Sequence, residues 1–282
     1  MEFGRLYVVP TPIGNLKDIT LRALEVLEFA DIIAAEDTRQ SLKLLNHFNI
    51  KKPLVSYHKF NEQSKSENII NLLKEGKNIA LISDAGMPGI SDPGSVIISK
   101  CIEENIDFIV LPGATATITA LVYSGLDTTK FIFRGFFPRE TKDRKNLIRD
   151  IEQREETLIL YEAPHRLTDS LEFIMNNLGN RNVAVCREIT KLHEEIFRGT
   201  MAEAYKHFNE KTIKGEIVLV IQGKTQQEII EEKRSGWENI SIEDHIVSFI
   251  NMGKSKKEAI KMVSIERGMP KSEIYKHSLN IE

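Results

Sequence analysis

The chain has 282 residues, 41% of them hydrophobic, and a formal net charge of −3, which predicts one large or two ordinary domains, each able to bury a core. The small negative charge argues against a generally basic nucleic-acid binder, so any RNA contact must come from local patches. Two cysteines, no signal-peptide pattern and no apolar run of membrane-spanning length favour a protein of the reducing cytoplasm that has no membrane partner.

Strand-like and helix-like runs alternate regularly through the first part of the chain, which predicts an α/β fold. Each predicted strand is followed by a loop and then a helix, and Asp18 is a plausible N-cap for the first helix. The predicted strands of this half are 5–9, 31–35, 54–57, 79–82 and 106–111.

The loop after the strand 79–82 is the strongest candidate for a ligand site. That strand is apolar without alternation, as in a parallel strand covered on both faces, and open α/β sheets bind ligands at the carboxyl ends of such strands. The loop offers bare backbone, stiffening prolines and two carboxylates that would suit an amine or ribose hydroxyls: Asp84, Gly86, Pro88, Gly89, Asp92, Pro93 and Gly94. The alternative is a tight strand-to-helix turn with no ligand.

Three further loops follow predicted strands and could line the same crevice. Residues 11–16, which include Pro12, form a second loop rich in proline and glycine. Glu36 to Arg39 follow the second strand, either as a helix cap with a salt bridge or as a substrate-facing set. Residues 112–117 open a helix whose first-turn amides could receive a carboxylate, or they simply pack that helix against the sheet.

Several common sites are excluded by their spacing. The chain has no G-x-G-x-x-G, and the G-K-T and G-K-S sequences at 223–225 and 253–255 lack the earlier glycine of a phosphate loop, since Val218 and Ser248 stand there. The histidines have no metal-ligand spacing, so we expect no metal site.

A second set of strands and helices begins near residues 126–130. We predict strands at 131–135, 157–161, 183–186, 195–200 and 217–221, with six or more sheet elements in all. The predicted division is 1–126, an amino-terminal α/β domain; 127–223, a carboxyl-terminal α/β domain; and 224–282, a linker with a small helical extension.

The stretch 134–149 mixes arginines and lysines with Phe136 and Phe137. Cations can neutralise phosphates and exposed aromatic rings can stack on unpaired bases, so the mixture suits RNA. An ordinary solvated helix with two core phenylalanines explains it as well. In the extension, helices predicted at 255–267 and 270–277 have helix-turn-helix proportions, yet a small packing appendage fits them equally.

Six motifs occur in order along the chain: V-P-T-P-I-G-N-L, A-A-E-D-T-R, S-D-A-G-M-P-G-I-S-D-P-G, Y-E-A-P-H-R-L, R-E-I-T-K and K-G-E-I-V-L-V. Together they resemble the ribosomal RNA small-subunit methyltransferase I group of the tetrapyrrole methylase superfamily, over about the first 223 residues. The resemblance implies two α/β domains that bind S-adenosylmethionine in the cleft between them. It also implies methylation of the ribose 2′-oxygen of a cytidine in 16S rRNA, in the decoding centre of the small ribosomal subunit, by a cytoplasmic homodimer.

The resemblance and the loops together give the candidate residues. The cofactor candidates are Pro12, Asp84, Gly86, Met87, Ile90, Thr115, Ala116, Tyr161, Gly215 and Glu216. The catalytic candidates are Glu36, Arg39, Glu162, Arg166, Glu188 and Lys191, from which sequence ranks no single base. Met87 stands where the family usually has threonine, and P-G-A-T-A at 112–116 where it has P-G-P-S-A, so we expect no side-chain hydrogen bond from position 87.

The candidate residues also suggest a division of roles in the cleft. We expect Arg39, Arg166 and Lys191 to bind RNA phosphates while Glu36 approaches the hydroxyl, because the cofactor cannot occupy so many ionic groups. Two other functions stay open. One is a tetrapyrrole methylase that acts on a polycarboxylated macrocycle, and the other is a non-catalytic RNA-binding module.

Overall fold

The computed structural model describes residues 3–225, 227–229, 231, 237–279 and 281. The chain divides into two compact units. The first comprises Met1–Ile151 and Glu156–Gln222, and the second comprises Glu152–Glu155 and Gly223–Glu282. Within the described ranges, no helix has both the length and the apolar character that crossing a membrane requires.

The first unit begins with a five-stranded parallel sheet. Its strands are β1 (Leu6–Val8), β2 (Ile32–Ala35), β3 (Leu54–Ser56), β4 (Ile79–Ile82) and β5 (Phe108–Val110), in the order β3-β2-β4-β1-β5. Side chains of β4 are buried on both faces: Ile79 and Leu81 in one apolar cluster, Ala80 and Ile82 in another. This double burial is why the strand is apolar without alternation, and the predicted parallel strand is confirmed.

Four helices cover the two faces of this sheet: α1 (Leu21–Phe29) and α2 (Thr38–His47) on one face, and α3 (Glu62–Lys74) and α4 (Ser95–Glu103) on the other. Helix α5 (Ala116–Ser124) follows β5. The predicted N-cap of α1 is wrong. Asp18 ends a short 3-10 turn, whereas the hydroxyl of Thr20 accepts the hydrogen bond from the Ala23 amide at 3.0 Å. Asp37 caps α2 by accepting from the Arg39 amide at 2.9 Å, so capping accounts for that member of the charged cluster.

The second sheet is mixed. Its strands are β6 (Phe131–Phe136), β7 (Thr157–Glu162), β8 (Asn182–Arg187), β9 (Glu195–Thr200) and β10 (Ile217–Ile221), in the order β6-β7-β10-β8-β9. Only the β6–β7 pair is parallel. The sheet has five strands in the described residues, so the prediction of six or more is wrong. Helices α6 (Thr141–Ile151), α7 (Leu167–Leu178) and α8 (Met201–Asn209) accompany this sheet, and their apolar side chains share its largest buried cluster. Helix α8 is not among the elements predicted from the sequence.

Helix α5 follows the first sheet in the chain but packs against the second sheet. Its buried Ala120 and Leu121 lie in one apolar cluster with Ile159, Ala184 and Val218 of the second sheet. The predicted boundary at 126–130 marks where the second sheet begins. The core of that sheet nevertheless includes a helix from before the boundary, so both sheets fall in one compact unit.

The second unit contains α9 (Ile242–Asn251), α10 (Lys256–Arg267) and α11 (Lys271–His277) around a small core that includes Ile246, Ala259 and Ile274. Ser255 and Glu258 form a capping box at the start of α10. Part of the predicted linker 224–239 lies outside the described residues.

Candidate functional site

A cleft with a volume of about 430 Å³ opens within the first unit, where the carboxyl ends of parallel strands face loops of the second sheet. Its lining comes from the loops after β1, β2, β4, β5, β7 and β8, from the ends of β6, β7 and β8, and from the start of β10. The lining residues are Ile13, Glu36, Asp84, Ala85, Gly86, Met87, Ile90, Ser91, Asp92, Thr115, Ala116, Phe136, Tyr161, Glu162, Ala163, Pro164, Cys186, Ile189, Gly215, Glu216, Ile217 and Val218.

Two loops predicted to share a crevice are joined by backbone hydrogen bonds. The Thr11 amide donates to the Gly86 carbonyl at 2.9 Å, and the Gly86 amide donates back to the Thr11 carbonyl at 3.0 Å. Gly86 has a φ of +80°, which a side chain would strain, and an added Cβ would lie 3.3 Å from Ile13. These hydrogen bonds therefore fix the two loops relative to each other in the absence of a ligand.

Five acidic residues line the cleft: Glu36, Asp84, Asp92, Glu216 and Glu162, the last of which is paired with Arg166. The Asp84 carboxylate accepts from the Asp37 amide at 3.1 Å, and a Glu36 oxygen accepts from the Asp84 amide at 3.4 Å. Burial raises the pKa of Glu36 and of Asp84 above their ordinary values. Burial, reinforced by the charges of Glu36, Asp84 and Glu216, raises the pKa of Asp92 to about 7. The cleft therefore favours a cation, and Asp92 can exchange a proton near neutral pH.

Aromatic and apolar side chains form another part of the cleft lining, called here the apolar wall. The Tyr161 hydroxyl lies 2.9 Å from the Thr117 hydroxyl, and the Phe136 ring meets the Tyr161 ring edge-on at 5.4 Å. Burial raises the pKa of the Tyr161 phenol, so it stays protonated. Cys186 lies in this wall, and burial raises the pKa of its thiol to about 12. It is a buried free cysteine, like Cys101, but it also lines the site.

Glu162 and Arg166 form a buried ion pair. The Glu162 side chain is fully buried and the Arg166 side chain is 13% exposed, with 3.2 Å between the charged groups. Glu162 also accepts hydrogen bonds from the Ser170 hydroxyl and the Ala163 amide. Arg166 donates to the carbonyls of Phe137 and Pro138. Glu162 borders the cleft whereas Arg166 does not. Because Arg166 binds the two carbonyls that follow β6, the pair anchors that part of the chain.

Lys191 lies between two carboxylates. Its ammonium is 2.8 Å from both Glu188 and Glu216, and Glu188 also accepts from the Glu216 amide at 3.0 Å. Gly215 has a φ of +93°, and an added Cβ would lie 2.3 Å from the Glu188 carboxyl carbon. Of this group only Gly215 and Glu216 line the cleft.

Arg39 is presented to solvent. Its side chain is 88% exposed and its guanidinium pairs with Asp37 at 2.8 Å, which lowers the pKa of that carboxyl to about 2. All three cations expected to bind phosphates have acidic partners in the folded chain, and only Arg39 is largely open to solvent. Their contacts with RNA stay predictions.

The structure brings most of the predicted residues to one cleft. The predicted cofactor residues line it except Pro12, which lies between the bridging Thr11 and the lining Ile13. Among the catalytic candidates, Glu36 and Glu162 line it, whereas Arg39, Arg166, Glu188 and Lys191 do not. Sequence reasoning noted Asp92 only as an acceptor in its loop, and it assigned no site role to Cys186 or Ile189. It included Ile13 in a loop expected to line the crevice, and it suggested Phe136 as a ring for stacking on RNA bases without placing it in the cleft. For Asp92 the signal was the second aspartate of the loop; burial near three other acids is visible only in three dimensions.

The arrangement suits a small cationic ligand held by carboxylates and open backbone, next to apolar side chains. Within the described part of the chain, no group of His, Cys, Asp or Glu side chains could hold a metal ion.

Comparison with known proteins agrees with the architecture. The family model described as Tetrapyrrole (Corrin/Porphyrin) Methylases matches residues 5–205. "Ribosomal RNA small subunit methyltransferase I" of Halalkalibacterium halodurans is 49% identical and covers 96% of this chain and 93% of that protein. The protein of the same name from Thermotoga maritima is 46% identical and is matched over 99% of its own length, yet it covers 78% of this chain.

A solved structure of diphthine synthase superposes with a TM-score of 0.65 at 16% identity, covering 79% of this chain and 91% of that one, which shows the shared fold. The near-full-length relatives and the family model together place the chain more narrowly. It belongs to the ribosomal RNA small subunit methyltransferase I family of the tetrapyrrole methylases.

Proposed function

We propose that this protein uses S-adenosylmethionine to methylate the ribose 2′-oxygen of a cytidine in 16S rRNA, in the decoding centre of the small ribosomal subunit. The observation that carries the proposal is the 49% identity, over 96% of the chain, to a protein named for methyl transfer to small-subunit ribosomal RNA. Cytoplasmic location, action on 16S rRNA within the small ribosomal subunit, and a homodimeric state belong to the same proposal.

The donor set of the cleft fits the cofactor. S-adenosylmethionine carries an ammonium and a sulfonium centre, and the cleft offers the carboxylates of Glu36, Asp84 and Asp92. Opposite charges attract more strongly in a partly buried setting than in bulk water. Asp84 and the backbone from Gly86 to Ile90 would hold it, with Thr115, Ala116 and Tyr161 elsewhere in the lining. When bound, the cofactor supplies an electrophilic methyl group.

The residues of this chain then position the acceptor and handle its proton. A ribose hydroxyl is a weak nucleophile, so a base beside it promotes transfer. Asp92 is suited to this task, because its carboxylate faces the cleft and its raised pKa of about 7 makes it a stronger base than an ordinary aspartate. Glu36 is a second acceptor nearby, since burial raises its pKa as well. Holding the hydroxyl in a fixed orientation supplies much of the remaining acceleration.

An exposed apolar face supports the proposed homodimer. Ile118 and Val122 are one turn apart on α5 and are 43% and 70% exposed. Covering such side chains with a second copy would remove apolar surface from water. Light scattering after size-exclusion chromatography measures the oligomeric state directly, and a monomer at micromolar concentration would contradict this element of the proposal.

Mass spectrometry of nucleosides tests the chemistry. Small subunits that lack the modification are incubated with the protein, with and without S-adenosylmethionine, and their RNA is digested to nucleosides. We expect one new 2′-O-methylcytidine, which loses its methyl group with the sugar when the glycosidic bond breaks. A methyl group that stays with the base would refute ribose methylation. Methylation of a tetrapyrrole but not of RNA would favour the macrocycle alternative, and cofactor binding without any methyl transfer would favour a binding module.

A further inference from the structure

A β-bulge at the end of β6 changes which phenylalanine faces the cleft. Phe133 pairs with Ile159 and Phe136 pairs with Tyr161, so three steps along β6 match two steps along β7. The extra residue lies next to Gly135, whose φ of +67° suits a bulge. Because side chains alternate between the faces of a strand, this insertion puts Phe136 on the same face as Phe133.

The two neighbouring phenylalanines consequently have opposite environments. Phe137 is 1% exposed and lies in the core between the sheet and its helices. Phe136 is 59% exposed and lines the cleft. A regular strand would have placed Phe137, not Phe136, on the cleft face. The fold therefore leaves the large aromatic side chain of Phe136 exposed to solvent within the cleft.

Contacts with neighbouring residues hold the exposed Phe136 ring in place. Tyr161 contacts Phe136 at 5.4 Å and Phe133 at 4.9 Å between ring centroids, and its hydroxyl is hydrogen-bonded to Thr117. Arg166 fixes the following carbonyls of Phe137 and Pro138. A ring fixed in this way loses little further freedom when a ligand stacks on it.

Three exposed cations follow within ten residues: Arg139, Lys142 and Lys145. In the described part of the chain none of them has an ion-pair partner, whereas Arg134 and Arg144 of the same stretch pair with Asp150 and Asp169. Exposed cations that closely follow an exposed aromatic ring in the chain are a combination by which proteins bind single-stranded RNA, through phosphates and stacked bases.

We propose that Phe136 is the stacking platform for an unstacked base of the RNA substrate, with Arg139, Lys142 and Lys145 binding the adjoining phosphates. This inference rests on the proposed function and names how its site receives the nucleotide. The base must leave its stack for its ribose to enter the cleft, and the platform offsets part of that cost.

The test compares Phe136→Ala, Phe136→Trp and a matched control, Phe131→Ala. Phe131 begins the same strand, is 42% exposed and does not line the cleft. Binding of a small-subunit rRNA fragment is measured by fluorescence anisotropy at fixed salt, and S-adenosylmethionine binding by calorimetry. We expect Phe136→Ala to weaken RNA binding roughly 5- to 150-fold, the range for loss of one base–aromatic stack. Phe136→Trp should restore binding, and its added indole fluorescence should be quenched by RNA. Phe131→Ala should bind like the unaltered protein.

Two outcomes would overturn the inference. If Phe136→Ala weakened cofactor binding as much as RNA binding, the ring would stack on the cofactor's adenine. If RNA binding were unchanged, the ring would be no platform. Because these readouts do not depend on methyl transfer, a failure of the proposed function would appear separately, as absence of methylated nucleoside with the unaltered protein.

Discussion

Replacing Asp92 with asparagine should stabilise the protein above neutral pH. The folded chain raises the pKa of Asp92 from 3.8 to about 7, so folding favours the protonated form. Stability is therefore lost as the pH rises through this interval, because the unfolded chain ionises freely and the folded chain does not. At ~1.36 kcal/mol per pKa unit, this shift lowers the free energy of unfolding at high pH by at most ~4 kcal/mol. The cleft is open to solvent, so we expect on the order of 2 kcal/mol.

Thermal unfolding between pH 4 and pH 9 measures this effect. For a chain of this size ~1 kcal/mol shifts Tm by roughly 2–4 °C, so Asp92→Asn should raise Tm by roughly 4–8 °C at pH 8 and leave it nearly unchanged at pH 4. Asp127→Asn is the matched control. The Thr129 amide lowers the pKa of Asp127, so this substitution should bring no gain at high pH. Parallel Tm curves for Asp92→Asn and the unaltered protein would refute the reasoning.

Three further predictions concern the cofactor, the buried ion pair and the second unit. Asp84→Ala should lower S-adenosylmethionine affinity in calorimetry, and unchanged affinity would remove Asp84 from the site. Arg166→Ala leaves the fully buried Glu162 without its cation, so urea unfolding should show a loss of ~3–5 kcal/mol, with a smaller loss for Arg166→Lys; equal midpoints would contradict an anchoring role. A chain ending at Lys224 should keep its fold by circular dichroism and its cofactor affinity, since the cleft lies in the first unit; loss of binding by a folded chain would show that the helical extension contributes to the site.

Much of the fold could be predicted from local pattern. The β4 run has no polar residue, because helices cover both faces of its parallel sheet, and the sequence shows this directly. The N-cap of α1 was missed because Asp18 and Thr20 are both good capping residues two positions apart, and the 3-10 turn at Leu16–Asp18 decides between them. Helix α8 was not predicted, although Thr200 and Glu203 form a capping box at its start.

Site residues in the loops that follow strands could be predicted from the sequence. Residues whose orientation depends on strand pairing, or whose exposure depends on burial, could not. Asp84 and Gly86 stand in a loop whose composition alone suggests a ligand. The orientation of Phe136 depends on a bulge, and one inserted residue reverses the alternation from which a side chain's face is inferred. Arg166 looked available because a charge after a strand is often exposed, whereas Glu162 four residues earlier neutralises it in the interior.

The position of α5 limits how this protein can be divided. Severing the chain at residue 126 would leave Ala120 and Leu121 without the second sheet and would strip that sheet of the helix over Ile159 and Val218. Each fragment would then expose an apolar surface, which promotes aggregation of separately expressed halves. Chimeras between relatives should therefore exchange the chain before Ala116, so that α5 travels with the sheet it covers.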